Sequence, residues 1–311
     1  MLNGKKDLLG IKELTAEEIS AILDLAGEMK KVVLSNDKKL DTLKGLSVVT
    51  LFYENSTRTR LSFELASKYM SSSSANITAS GSSVQKGESL LDTGHTIDRM
   101  GTDIIIMRHQ CSGAAHFLAK NVKAGVINAG DGMNEHPTQA LLDALTIKEH
   151  KGGFKGLKVA IIGDVLHSRV ARSNIYLLKK MGAEVSVGGP ATLMPKDIEL
   201  LGVKAYNDIE KAIAGADVII NLRIQLERQK SALFPTVREY SSIFGLNERR
   251  LALAAPDALV MHPGPVNRGV EMNSAVIDCD QSFIDEQVTN GVSVRMAILD
   301  LLTRGKRNVD R

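Results

Sequence analysis

The sequence has no tryptophan, and its aromatic residues amount to five Tyr and seven Phe in 311 positions. Platforms that stack bases or sugars are built from aromatic side chains, so neither a nucleic-acid-stacking nor a carbohydrate-stacking protein is expected. Cysteine is as scarce: Cys111 and Cys279 lie far apart, and no Cys-x-x-Cys or Cys/His cluster has zinc spacing. A disulfide framework is therefore not expected. Charge of one sign is also lacking. Lys and Arg number 39 against 36 Asp and Glu, a net charge of +3, which is not the footprint of a nucleic-acid binder. No run of about 18 apolar residues exists to span a membrane. The opening MLNGKKDLLGIKEL has no apolar stretch long enough for a signal peptide. These absences predict a cytoplasmic chain without a membrane or nucleic-acid partner. What is present is ordinary: 43% hydrophobic and 24% charged residues, 26 Gly and 7 Pro. That composition excludes a disordered or collagen-like chain, and the length suits two domains.

Thr15-Ala-Glu-Glu18 is a capping box, with a hydroxyl at the N-cap and a carboxylate three residues on. It predicts a helix through about Lys31 with Ile19, Ile22, Leu23 and Ala26 on one stripe. Residues 45–53 read as a buried strand, and short strands are expected at 75–79, 103–107 and 125–128. Helices are expected at 59–70, 88–100, 112–121 and 137–150. Lys151-Gly-Gly-Phe-Lys-Gly156 interrupts the pattern. A second series then follows, with strands at 157–162, 183–187, 203–206, 217–221 and 258–261. Its helices are expected at 168–181 and 208–214, with a last one over 283–302. Alternating strands and helices predict an α/β protein with two doubly wound parallel-sheet domains of similar size. The expected division is residues 1–136, a joining helix 137–150, and a second domain 151–282. The terminal segment 283–311 is expected to pack back on the first domain, and the cleft between domains is the expected ligand site.

The densest chemical signal is Ser56-Thr-Arg-Thr-Arg60, directly after a strand and opening a helix. Ligands of open α/β sheets bind beyond the carboxyl ends of strands, and a helix N-terminus offers unpaired N–H groups to an anion. Two guanidinium groups and three hydroxyls in that place suit a phosphate better than an ordinary N-cap with surface arginines. In the second half, Asp164-Val-Leu-His-Ser-Arg169 and Asn221-Leu-Arg223-Ile-Gln225 both follow strands. Arg169 falls in a first helical turn, where the dipole disfavours a cation; that misfit points to a ligand. Two arginines suit a dicarboxylate, since each can form a bidentate pair. Taken alone, Lys86 reads as a surface lysine, His136 as an N-cap residue, and Arg223 with Gln225 as a solvated loop pair. Glu54 and Arg228 read as structural residues that pair across the domains. Gly163-Asp-Val-Leu-His-Ser lacks the dinucleotide fingerprint, and residues 81–87 lack the phosphate-loop order of Gly and Lys.

Ser56-Thr-Arg-Thr-Arg60 resembles the Ser-x-Arg-Thr-Arg carbamoyl-phosphate motif of the aspartate and ornithine transcarbamoylase family. His136-Pro-Thr-Gln139 resembles the family's second such motif, and Arg108 its third basic contact. The resemblance extends over nearly the whole chain. Arg169, Arg223 and His262-Pro-Gly-Pro265 are similar to the aspartate branch; ornithine enzymes have a His-Cys-Leu-Pro pattern and a Ser-Met-Gly motif that is not found here. Lys86 in Lys86-Gly-Glu-Ser89 also matches that branch.

The resemblance implies transfer of the carbamoyl group of carbamoyl phosphate to the amine of L-aspartate in pyrimidine biosynthesis. It implies that Ser56, Thr57, Arg58, Thr59 and Arg108 hold the phosphate, and that Thr59, Arg108 and His136 stabilise the oxyanion. Gln139 and the backbone carbonyls around Pro263 and Gly264 are then expected to meet the carbamoyl NH2. Arg169, Arg223, Gln225 and Lys86 are expected to hold aspartate. The resemblance also implies a homotrimer in which Ser82 and Lys86 reach the neighbouring subunit's site. No metal or cofactor is expected. Association with a dihydroorotase or with regulatory chains is left open. The rival readings are a transcarbamoylase for another amine and a non-catalytic homologue. The latter is disfavoured because Ser56, Arg58, Thr59, Arg108, His136 and Gln139 are all kept.

Overall fold

The computed structural model describes residues 2, 4–78, 87–224 and 236–307. Contacts divide the chain into two units, residues 1–145 with 289–311, and residues 146–288.

The first unit opens with helix α1 (Ala16–Leu34), whose capping box forms as the sequence predicts. Thr15 Oγ1 accepts from Glu18 N at 3.2 Å, and the Glu18 carboxylate accepts from Thr15 N at 2.9 Å and from Lys5 Nζ at 2.6 Å. Ile19, Ile22, Leu23, Ala26 and Met29 are buried along one stripe. Full burial of each large side chain contributes about 1.5–3 kcal/mol. Strand β1 (Ser47–Phe52), helix α2 (Thr57–Tyr69), strand β2 (Ser73–Thr78), helix α3 (Leu90–Arg99), strand β3 (Ile104–His109), helix α4 (Ala114–Asn121) and strand β4 (Gly125–Asp131) follow in turn. The sheet runs β2-β1-β3-β4 and is parallel throughout. β1, β3 and β4 are nearly continuous apolar runs, as strands covered on both faces must be. β2, at the edge, is polar and mostly exposed. Val49, Leu51, Ile105, Met107 and Val126 pack with Ile97 of α3 and Ala115, Leu118 and Ala119 of α4 on one face. From β1 the chain steps outward to β2 and then back across to β3. Right-handed crossovers in opposite directions send α2 to the face opposite α3 and α4.

Helix α5 (Pro137–Lys151) passes from the first unit into the second. The second sheet is built from β5 (Lys158–Ile162), β6 (Glu184–Gly188), β7 (Lys204–Tyr206), β8 (Val218–Asn221) and β9 (Leu259–Met261). Its order is β7-β6-β5-β8-β9, again all parallel. Helices α6 (Arg169–Lys180) and α7 (Ile209–Ile213) fall where the sequence predicts. Three short helices, α8 (Val237–Phe244), α9 (Glu248–Leu251) and α10 (Ser274–Ile277), were not among the expected elements. Ala160, Ile162, Ile219 and Val260 of the sheet pack with Ile209, Ala212 and Ile213 of α7, Leu251 of α9 and Val276 of α10.

The terminal helix α11 (Ile284–Arg307) runs back into the first unit. There Arg295 is buried, its guanidinium 4.9 Å from the centre of the Phe63 ring and donating to Ser62 Oγ at 3.1 Å. Burial lowers its pKa to about 10, against the pull of Asp143. Ser62 and Phe63 belong to α2, so this residue fastens the terminal helix to the helix that carries the Ser56–Arg60 motif.

Candidate functional site

Each sheet reverses its winding at one point, and Ser56–Thr59 with Arg108 in one sheet, and Arg169 with Arg223 in the other, follow the strands that flank it. In the first unit the reversal lies between β1 and β3, adjacent strands in register Phe52 to Arg108. In doubly wound sheets the crevice at the carboxyl ends of such strands is where ligands bind. Beyond β1, Ser56 is the N-cap of α2, in extended conformation and without a capping bond from its side chain. Ser89 of α3 and Ser168 of α6, by contrast, both cap their helices with the hydroxyl. The first-turn N–H groups of α2 are therefore not taken up by the N-cap side chain, and no acidic residue stands in that turn. A helix start of this kind is suited to an anion. Thr57 and Arg58 are exposed there, and Thr59 is buried.

Arg108, at the end of β3, is held on two sides. Its Nη2 donates to Glu54 Oε1 at 2.8 Å, and its Nη1 to the carbonyl of Ala129 in β4 at 3.4 Å. Its own carbonyl accepts from Tyr53 N at 2.9 Å. The Tyr53 ring packs on His109 at 4.9 Å. Burial holds His109 below the usual imidazole pKa, and its Nδ1 accepts from Cys111 N at 2.9 Å. The sequence reading took Glu54 for a partner across the domains; here its carboxylate orients Arg108 within the first unit. The pairing spans 54 positions, which no local pattern encodes.

His136 and Gln139 follow β4. Asp131 accepts from Gly113 N at 2.6 Å and from Glu135 N at 3.2 Å, which fixes the turn leading to His136. Glu135, also buried, accepts from Ile11 N at 2.8 Å. The carbonyl of His136 takes the N–H of Gln139 at 3.0 Å as α5 begins. Gln139 Nε2 donates to Asp143 Oδ1 at 2.9 Å, one helical turn on. That bond commits the amide nitrogen and leaves the Gln139 carbonyl as the outward acceptor.

In the second unit the reversal lies between β5 and β8. The two strand ends approach closely at Gly163, which has φ +117°, and a Cβ there would stand 3.1 Å from the carbonyl of Leu222. Glycine is required on both counts. Asp164, fully buried, accepts from His167 N at 3.2 Å and pairs with His167 Nδ1 at 2.9 Å. Ser168 caps α6 through Ala171 N, and Arg169 follows at the first helical position with only 3% of its surface exposed. A guanidinium in the first turn of a helix is opposed by the helix dipole. Arg223 stands beyond β8 between Leu222 and Ile224, both fully in the core. Its own side chain is half-buried. Beyond β9, His262 Nδ1 accepts from Gly264 N at 2.8 Å, and His262 N donates to Gln287 at 2.9 Å. Gly264 has φ +62°, a left-handed conformation that glycine adopts freely. Pro263 and Gly264 are both half-buried.

Ser56, Thr57, Arg58, Thr59, Arg108, His136 and Gln139 thus share the carboxyl end of the first sheet. Arg169, Arg223, Pro263 and Gly264 share the carboxyl end of the second. Ser82, Lys86, Gln225 and Arg228 lie outside the described residues. The sequence reading did not single out Asp131, Asp143 or Glu271, and left Asp164 without a role. Their signal is burial of a carboxylate, visible only once the chain is folded.

The aspartate/ornithine carbamoyltransferase carbamoyl-P binding domain matches residues 6–149, and the Asp/Orn binding domain of the same family matches residues 155–302. The chain belongs to the aspartate/ornithine carbamoyltransferase family. Within it, the aspartate carbamoyltransferase catalytic subunit of Ruminiclostridium cellulolyticum is 69% identical over 299 residues, 96% of each chain. That of Acetivibrio thermocellus is 66% identical over 304 residues, covering 98% of this chain and 97% of the relative. Among solved structures, aspartate transcarbamoylase of Trypanosoma cruzi with carbamoyl phosphate and aspartate has a TM-score of 0.87 at 30% identity, covering 96% and 97% of the two chains. Ornithine carbamoyltransferase of Pyrococcus furiosus scores 0.84 at 32% identity, covering 95% and 96%. The carbamoyltransferase fold is thus common to enzymes of both acceptors.

Proposed function

We propose that this chain transfers the carbamoyl group of carbamoyl phosphate to the α-amine of L-aspartate, giving N-carbamoyl-L-aspartate and phosphate in pyrimidine biosynthesis. The observation that carries the reading is the pair Arg169 and Arg223, which follow the carboxyl ends of the two strands where the second sheet reverses. Two guanidinium groups match the two carboxylates of aspartate; ornithine carries a second cation that they would repel. The names of the 66–69% identical relatives support the same acceptor.

In this reading Ser56, Thr57, Arg58, Thr59 and Arg108 hold the phosphate at the start of α2. The amine attacks the carbonyl carbon, and Thr59, Arg108 and His136 stabilise the oxyanion that develops. A preorganised donor of this kind is worth about 3–4 kcal/mol. Gln139, oriented by Asp143, and the carbonyls of Pro263 and Gly264 accept from the carbamoyl NH2. The tetrahedral intermediate collapses by breaking the bond to the phosphate oxygen, and the departing phosphate takes the proton of the amine. Orientation and electrostatics supply the rate. Arg169, Arg223 and Gln225 hold the aspartate carboxylates. Ser82 and Lys86 reach the site from a neighbouring subunit of a cytoplasmic homotrimer.

The purified chain is expected to form carbamoyl-aspartate and phosphate in equal amounts from carbamoyl phosphate and aspartate. Ornithine and acetylornithine are expected to be inert; preferential carbamoylation of either overturns the reading. Mixed trimers of Arg58→Ala and Lys86→Ala chains are expected to regain activity, and mixtures as inactive as their parents overturn the shared site.

A further inference from the structure

Glu271 is fully buried, with none of its surface exposed. Its carboxylate accepts three hydrogen bonds. Oε1 takes Ile224 N at 2.9 Å and Asn267 Nδ2 at 2.6 Å, and Oε2 takes Asn267 N at 2.9 Å. Its backbone carbonyl accepts from Asn221 Nδ2 at 2.7 Å and from Leu246 N at 2.8 Å. One residue therefore grips the chain on both sides of Arg223, at Asn221 and at Ile224. The same carboxylate grips Asn267, in the segment beyond β9 that carries Pro263 and Gly264.

We propose that Glu271 is a positioning residue for the amine acceptor: it fixes the backbone that presents Arg223 and so sets the affinity for the acceptor's carboxylate. The proposal rests on the reading that Arg223 meets a carboxylate of aspartate. A carboxylate is an expensive way to fill a core position, and an apolar side chain of similar volume would stabilise the unit as well or better. What the carboxylate alone provides is acceptance at both oxygens. Glutamine has one acceptor oxygen and sets an NH2 against one of the N–H donors. Burial raises the carboxyl's pKa above the usual carboxylate value, and the hydrogen bonds from Ile224 and Asn267 offset part of that rise.

The test is steady-state kinetics of full-length Glu271→Gln with both substrates varied. The KM for aspartate is expected to rise about tenfold, the scale of one lost charge-assisted hydrogen bond. The KM for carbamoyl phosphate is expected to rise by a clearly smaller factor than that for aspartate, through the 263–267 segment, and inhibition by inorganic phosphate is expected to stay unchanged. Inhibition by succinate, an unreactive dicarboxylate, is expected to weaken by the same factor as aspartate. Glu271→Asp, which keeps both acceptor oxygens, is expected to recover part of the loss. A folded Glu271→Gln chain whose KM for aspartate is unchanged, or whose two KM values rise by the same factor, overturns the proposal. Should that variant not fold, Asn267→Ala decides. A selective rise of about threefold in the KM for aspartate supports the proposal, and no rise overturns it. A wild-type chain that forms no carbamoyl-aspartate overturns the underlying reading. An active wild type with an indifferent Glu271→Gln overturns the positioning role alone.

Discussion

At the carboxyl ends of β1 and β3, the residues proposed to hold phosphate lie at the start of a helix whose N-cap side chain leaves the first-turn N–H groups to others. Thr57 and Arg58 are exposed, and one half-buried carboxylate, Glu54, steadies Arg108. At the carboxyl ends of β5 and β8 the materials differ. Arg169 is buried, and carboxylates with no surface at all, Asp164 and Glu271, shape the loops around it and around Arg223. In the proposed reading, the same sheet reversal serves two kinds of recognition. A phosphate is compact and strongly charged, and secondary structure itself supplies donors for it. A small dicarboxylate must be told from other amines by the spacing of two guanidinium groups. That spacing is a matter of side-chain and loop placement, so it needs its own buried scaffold.

The contrast can be broken most forcefully at Arg108. Arg108→Ala is expected to lower kcat by about 10²–10³, since it removes a donor to the developing oxyanion, and to raise the KM for carbamoyl phosphate. An effect confined to the KM for aspartate, measured with both substrates varied, would erase the division of labour between the units. Next in size is Arg169→Met, which keeps the stem and removes the charge. The KM for aspartate is expected to rise about 30-fold or more, the scale of one desolvated charge pair, with phosphate inhibition unchanged. Thermal melting sharpens the point. Tm is expected to change little, because the stem and its packing are kept. A clear fall in Tm would make Arg169 structural. The smallest effect is expected at Thr15→Ala, in the capping box of α1, away from both sheet reversals. Urea unfolding is expected to lose about 1 kcal/mol while both KM values hold.

The first sheet end was the more legible of the two. Ser56 to Arg60 is a contiguous motif, and a strand followed by hydroxyls and arginines announces its own geometry. The strands were readable because parallel strands covered on both faces are apolar throughout, and α1 because cap and stripe agree. The three short helices α8, α9 and α10 escaped because four to eight residues hold too few turns for a period to emerge. Ser56 was readable as an N-cap, but not that its side chain makes no capping bond. The grip of Glu54 on Arg108 and of Glu271 on Ile224 escaped for another reason. Each joins positions about 50 apart, and what marks them is burial of charge, a property of the folded state.

The first unit is assembled from both ends of the chain, residues 1–145 and 289–311, whereas the second is one uninterrupted stretch. On a ribosome, which delivers the chain from its N-terminus, the second unit has all of its parts before the first does. The first unit must wait for the terminal helix, and with it for Arg295 to slide over Phe63 and reach Ser62. The helix that carries the Ser56–Arg60 motif therefore gains this support only after the whole of the second unit has been made.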